Sequence, residues 1–369
     1  NVETAAFYPA AFPLAIEVSG NSGRYGAIYD SNALSELWSA VSYSLGEALG
    51  TAELPEEITE AEFRSALDAE GVFLDYRNFV RVDVIIKWLG VSSVREHTES
   101  VRMFCLTPDQ NSEVAVNIPL SLYYRDESGT FYKCSTAANS EVLLQKLGVY
   151  MPNGVYFAYE SHFGDGILPY TLLPDAAPNA VTLTASNPLS VSVYDRDILD
   201  AFGMNPFSHN NSREGDVSVY VEESIRLMIS PSGHIDFKSE REAADFAVGN
   251  LASAIESAHR LVSAFAPNDS MMLTSALETE SGYEMTFSYY YNGIEIIAFE
   301  PGAKITVAKG VISDAVINMR SYSATEEAEP LMPTRQAFAA VKDADAGELR
   351  IVYVDSGETA VTPAWTIVP

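Results

Sequence analysis

VYVEESIRLMISPSGHIDF, residues 219–237, is the stretch from which the fold of this chain can be read. Val219 and Val221, with Ile225, fall on one side of an extended chain. Leu227 and Ile229, then Ile235 and Phe237 beyond a turn, continue the apolar alternation. Pro231-Ser232-Gly233 supplies that turn, because proline presets φ at one position and glycine tolerates φ > 0 at another. Alternation broken by a tight turn predicts antiparallel strands. The stretch holds no nucleophile with a base, no metal-ligand set and no phosphate loop, so it reads as scaffold.

Working outward, the C-terminal side carries the strongest periodic signals. Ala244, Val248, Leu251, Ile255, Ala258, Val262 and Phe265 recur at alternating spacings of four and three. They predict one amphipathic helix over 240–265, ended by Pro267. That stripe either packs on a sheet of its own domain or forms a seam for a partner helix. Tyr283, Met285, Phe287, Tyr289 and Tyr291 alternate strictly, and Asn292-Gly293 supplies a two-residue turn to Ile294, Ile296 and Ala298, a hairpin over 283–300. The strands KITVA and GVISDAVINM follow, then an acidic loop (324–330), a short helix over 333–341, and the strands LRIVYV and PAWTIV.

On the N-terminal side, DRDILDAFG (195–203) is a short helix ending in glycine. Residues 173–188 carry Pro174, Pro178 and Pro188 and read as a linker. Before it, Ser31 to Leu49 shows a helical stripe that Ser31 or Asn32 caps. Thr59 and Glu62 form a capping box. RVDVIIKWL (81–89) suits a strand or a short helix equally. The segments VRMFCL, EVAVNI, LSLYYR and TFYKC form a meander. The expected organisation is a mixed α/β domain over 1–175, a linker over 176–190, a central α+β module over 191–325, and a closing helix and strands over 326–369. Helices followed by antiparallel strands, with few βαβ crossovers, define a multi-domain α+β fold.

The composition narrows the function. An apolar content of 47% with 20% charged residues is that of a globular chain. The balance of 22 Lys+Arg against 51 Asp+Glu, net −29, opposes binding to nucleic acid or to an anionic membrane surface. The acidity serves solubility or recruits basic partners. No run of 18 apolar residues spans a bilayer. The sequence begins at Asn1 without Met or a signal-like segment, as expected of a processed protein or a fragment. Cys105 and Cys134 allow one bridge, worth about 3 kcal/mol for a loop of that length, or two buried thiols.

Reactive constellations are weak. The histidines at 97, 162, 209, 234 and 259 show no metal-ligand spacing, and no P-loop, G-x-G-x-x-G or G-x-S-x-G occurs, so neither metal nor cofactor is expected. Ser161-His162 with Asp165 has the residue types of a triad, but a glycine-bearing surface loop explains it. Asp343, Asp345 and Glu348 lack the ligand pattern of a calcium loop and read as a solvated turn. Tyr289, Tyr290 and Tyr291 are either half-buried strand aromatics or a stacking face for a ligand, and they are the candidate interaction surface.

Several segments together resemble the YycH/YycI group of regulators of the cell-wall sensor kinase WalK (YycG) of Gram-positive bacteria. They are GVFLDY (71–76), ILDAFGMNP (198–206), residues 219–237, YNGIEI (291–296) and LRIVYVDSGETAVTPAWTIV (349–368). The resemblance implies an N-terminal α/β domain followed by PepSY- and β-lactamase-inhibitor-like modules. It implies a non-enzymatic ectodomain outside the cell, tethered by an N-terminal transmembrane helix that this chain lacks, whose partners are the kinase or a sister regulator. Two alternatives stand beside it. One is a PepSY-like peptide-binding or peptidase-inhibiting envelope protein, with a groove beside strands 283–299. The other is an envelope glycan hydrolase, which needs two carboxylates across a cleft.

Overall fold

The structure, a computed structural model, describes residues 10–112, 116–161, 163, 166–190, 195–205, 207, 210–241, 250–266, 270–341 and 345–368. The chain forms two compact units. The first comprises 1–178, 331–351 and 365–369, and the second 179–330 and 352–364. Both combine antiparallel sheets with packed helices, so the architecture is α+β.

The first unit is built on β1 (Ala15–Gly20), β2 (Gly23–Ile28), β3 (Glu56–Ile58), β4 (Gly71–Arg81), β5 (Ser100–Pro108), β6 (Pro119–Asp126) and β7 (Phe131–Asn139), in the order β2-β1-β4-β5-β6-β7-β3. β8 (Val155–Phe157) and β9 (Leu172–Pro174) form a separate pair. Helix α1 (Ser31–Thr51) lies across β1, β2, β6 and β7 and buries Leu34, Leu37, Val41, Leu45 and Leu49. Its cap is Asp30 rather than Ser31 or Asn32, with the carboxylate accepting from the Asn32 and Ala33 amides. Helix α2 (Glu60–Asp68) carries the capping box expected at Thr59 and Glu62. RVDVIIKWL resolves as a helix, α3 (Val82–Trp88), which buries Val82, Val84, Ile85 and Ile86. Helices α4 (Ser140–Leu147) and α7 (Thr334–Val341) complete this unit's helices.

The second unit contains β10 (Ala180–Ser186), β11 (Asn210–Glu214), β12 (Val217–Glu222), β13 (Ile225–Ile229), β14 (His234–Ser239), β15 (Met271–Thr279), β16 (Gly282–Tyr291), β17 (Ile294–Ala298), β18 (Ala303–Ala308), β19 (Val311–Asn318) and β20 (Ser321–Glu329). To these it adds parts of β21 (Glu348–Asp355) and β22 (Ala360–Val368). The helices are α5 (Asp195–Ala201) and α6 (Leu251–Ser263). Within the stretch read as a linker, β10 pairs with β20 and β22: the alternating Val181 to Ala185 outweighs the flanking prolines.

Two expectations change in detail. The turn at Glu223-Ser224 closes the β12–β13 hairpin and sets Tyr220, not Val219 or Val221, opposite Leu227. Val219, as expected, and Tyr220, Ile225, Leu227, Ile229, Ile235 and Phe237 are buried, whereas Val221 is exposed. Glu223 takes a left-handed φ of 50°, which no glycine or asparagine announces. Of the helix predicted over 240–265, the described part is α6 from Leu251, where Asn250 caps it by accepting from the Ser253 amide. Glu240 and Arg241 are not helical, and Ala244 and Val248 lie outside the described residues. The buried Leu251, Ile255, Ala258 and Val262 face β15, β16, β18 and β19, so the stripe belongs to its own sheet.

Candidate functional site

The sheet of the second unit forks at β16. One edge of β16 pairs with β15. The other pairs with β17 through Tyr289, Tyr290 and Tyr291, and with β18 from Gly282 to Phe287. Tyr289 faces Ile296 and Phe287 faces Ala303, so Ser288 alone stands opposite residues 297–302, which leave the ladder. Beyond the fork β17 joins β21 in parallel, with Ile296, Ile297 and Ala298 beside Tyr353, Val354 and Asp355. β18 joins β19. Asn292 and Gly293 turn the β16–β17 hairpin with φ of 49° and 77°, as the Asn-Gly pair predicts.

The fork encloses a recess of about 270 Å³ lined by Tyr289, Phe299, Asn318, Arg320, Tyr322 and Asp355, among others. Arg320 donates to Asp355 from Nε at 3.0 Å and Nη2 at 2.8 Å, a bidentate pair. The Tyr322 hydroxyl and the Gly357 amide also donate to this carboxylate, each at 2.8 Å. Burial by itself would raise the Asp355 carboxyl, but the Arg320, Gly357 and Tyr322 hydrogen bonds outweigh it and hold it below the usual carboxylate range. The Tyr289 hydroxyl donates to the Asn318 carbonyl and accepts from the Arg320 amide. Burial pushes the Tyr289 and Tyr322 hydroxyls well above the ordinary phenol value. Both stay neutral donors, and the recess wall is a satisfied, rigid network.

The three tyrosines have separate fates. Tyr289 is buried in the recess wall, Tyr290 is buried, and Tyr291 is half-buried edge-on to Tyr353. The exposed apolar surface lies just beyond them. Phe299, in the segment released by the fork, is 98% exposed; Ile297 and its strand neighbour Val354 are 37% and 48% exposed. A single exposed apolar side chain is ordinary, but Phe299 follows Ile297 by two residues and Ile297 is paired with the exposed Val354. The half-buried Glu295 lies on β17, Glu300 follows Phe299, and Glu358 lies in the bend after β21. Pattern reading ended the hairpin at residue 300; the available signal was Phe299-Glu300-Pro301-Gly302, where the alternation breaks at a proline–glycine pair.

Sequence reading also passed over a polar chain in the first unit. Ser93 Oγ lies 2.9 Å from His97 Nε2, His97 Nδ1 lies 2.9 Å from Glu99 Oε1, and Arg95 pairs with that oxygen at 2.6 Å. The order is that of a serine–histidine–carboxylate triad. The Val94 amide, the first donor past the serine, is spent on the Gly50 carbonyl, so it cannot serve an oxyanion. Ser93 Oγ also lies 3.3 Å from the Leu49 carbonyl. The chain therefore staples its loop to the end of α1. Of the other candidates, His162, His209, Asp165 and Asp343 lie outside the described residues. His234 Nδ1 is bonded to Asn318 Oδ1 at 2.8 Å, and His259 stacks on Phe287. The Glu348 carboxylate is ion-paired with the Arg102 and Arg350 guanidiniums. Cys105 and Cys134 are buried free thiols, and burial pushes Cys134 up to about 11. Among the described residues no group of three His, Cys, Asp or Glu is placed to hold a metal ion. No helix of the described chain is long and apolar enough to cross a membrane.

No family model and no curated protein matches the sequence. Among solved structures, the crystal structure of YycH from Bacillus subtilis aligns over 100% of this chain and 96% of its own, with a TM-score of 0.64 and 14% sequence identity. The chain has a YycH-like fold.

Proposed function

From that YycH-like fold, we propose that the chain is a non-enzymatic, extracytoplasmic regulator of a cell-envelope sensor kinase, acting by protein–protein contact. In the full-length protein a membrane tether raises its local concentration at the kinase. The observation that carries the contact surface is Phe299, almost wholly in water beside Ile297 and Val354, on a bulge braced by the Arg320–Asp355 pair. Aromatic anchors on rigid supports dominate binding energy at protein interfaces. The test is titration of the whole chain against the extracytoplasmic domain of a cell-envelope sensor kinase of the same organism, and against a sister regulator. We expect saturable binding to at least one, weakened tenfold or more by Phe299→Ala. Absence of binding to both overturns the reading.

A second reading is favoured by one observation, the recess beside strands 283–299. There a PepSY-like peptide-binding role would place a peptide side chain against Phe299 and Tyr322. The hydrolase reading gains no comparable support. Asp355, the buried carboxylate of this recess, is saturated by Arg320, Tyr322 and Gly357 and has no freedom to act as nucleophile or acid.

A further inference from the structure

We propose that a second recess of this unit, between α6 and strands β13, β14 and β19, binds a single-chain amphiphile with an anionic head. The recess has a volume of about 500 Å³, within the range of small-molecule sites. Its apolar wall is Phe202 stacked on Phe237 with ring centroids 4.4 Å apart, together with Ile225 and Leu261. Its polar lining is Arg241, Arg260, Ser239 and Ser257.

The charge is the distinguishing feature. In a chain with 51 acidic and 22 basic residues, the described lining of this recess holds two arginines and no carboxylate. The fork recess is lined by Glu300 and Asp355, and another recess near the start of α6 by Glu278 and Glu280. Arg241 is held loosely, 3.5 Å from Glu222 and 3.9 Å from Glu223. Arg260 is exposed and has no ion pair or hydrogen bond to any described residue. A guanidinium with no partner among the described residues, at the mouth of an apolar recess, suits a carboxylate or phosphate head, which it can grip with two parallel hydrogen bonds. The aromatic wall suits an alkyl chain. Two hydroxyls and no buried acceptor array leave an extended peptide backbone without partners, so a lipid-like chain is the better fit.

The site is independent of the contact surface at Phe299. Its test is calorimetric titration of the whole chain with dodecanoate, dodecyl phosphate and dodecyltrimethylammonium, each below its micelle-forming concentration. Both anions are expected to bind and the cation not to bind. The tighter anion tells a fatty acid from a phosphate-bearing lipid. Each methylene added between octanoate and dodecanoate should tighten binding about fourfold if the recess covers it. Arg260→Glu should weaken binding at least tenfold, and Ala264→Trp, which fills the exposed mouth, should block it. Phe299→Ala should leave it unchanged. Equal affinity for the cation, affinity undiminished in the Arg260 variant, or binding only to phosphatidylglycerol vesicles would each overturn the proposal.

Discussion

Arg320 and Asp355 brace the fork in the second unit's sheet, with Nε and Nη2 donating across 3.0 and 2.8 Å to the two carboxylate oxygens. Arg320 follows β19, and Asp355 ends β21, the strand that takes up β17 after it leaves β16. The pair thus joins the two prongs and fixes the segment that carries Phe299. Removing the arginine leaves a buried carboxylate without its cation. Arg320→Ala should cost about 3 kcal/mol and speed amide exchange in β17 and the end of β21. Unchanged exchange there would show that the fork is held by other means.

The same pair sets an acid dependence. The Asp355 carboxyl is lowered in the folded state, so its contribution is complete above the unfolded value of about 3.9 and is lost as pH falls through the folded value. Stability of the native chain should therefore fall more steeply below pH 4 than that of Arg320→Ala, measured by urea denaturation at each pH.

Glu17 predicts the opposite slope. It is buried beside Arg24 and Ser19, and burial, outweighing the Arg24 charge and the hydrogen bonds, pushes its carboxyl up to about 7. The folded state then binds a proton that the unfolded state releases near pH 4.3. This contribution is full below that pH and lost as pH rises through 7, a change of about 3 kcal/mol. Glu17→Gln, neutral at every pH, should flatten the stability profile between pH 4.5 and 7. An identical profile in the variant would place the proton elsewhere.

Gly233 tests the turn inside residues 219–237. Its φ is 96°, and a Cβ there would lie 2.8 Å from the Met319 carbonyl oxygen. Gly233→Ala should lose about 1–3 kcal/mol and loosen the pairing of β14 with β19. Ser232→Ala, one residue earlier on an exposed position, serves as the control and should change stability by less than about 0.5 kcal/mol.

Elements made by near neighbours in sequence were legible. The stripe of α1, the Thr59–Glu62 box and the Asn292-Gly293 turn each have residue types that satisfy a local geometric demand. The fork was not legible, because it depends on Ile296 meeting Tyr353 in parallel, a pairing more than fifty residues apart. The burial of Glu17 likewise depends on Arg24 from the neighbouring strand and on the Leu67 carbonyl, which binds both Ser19 and Arg24. The tyrosine run drew attention to the right strand, but burial on both faces of β16 hides Tyr290 as well as Tyr289. The water-facing aromatic is ten residues beyond Tyr289, where the alternation stops.

Photo-crosslinking tests the central claim most directly. p-Benzoylphenylalanine would replace Phe299 in the protein expressed in its own cells, and in a parallel sample Val94, which is 73% exposed in the first unit. The account predicts a crosslink from position 299 to the sensor kinase or a sister regulator, and none from position 94. A kinase crosslink from position 94 with none from position 299 would contradict it.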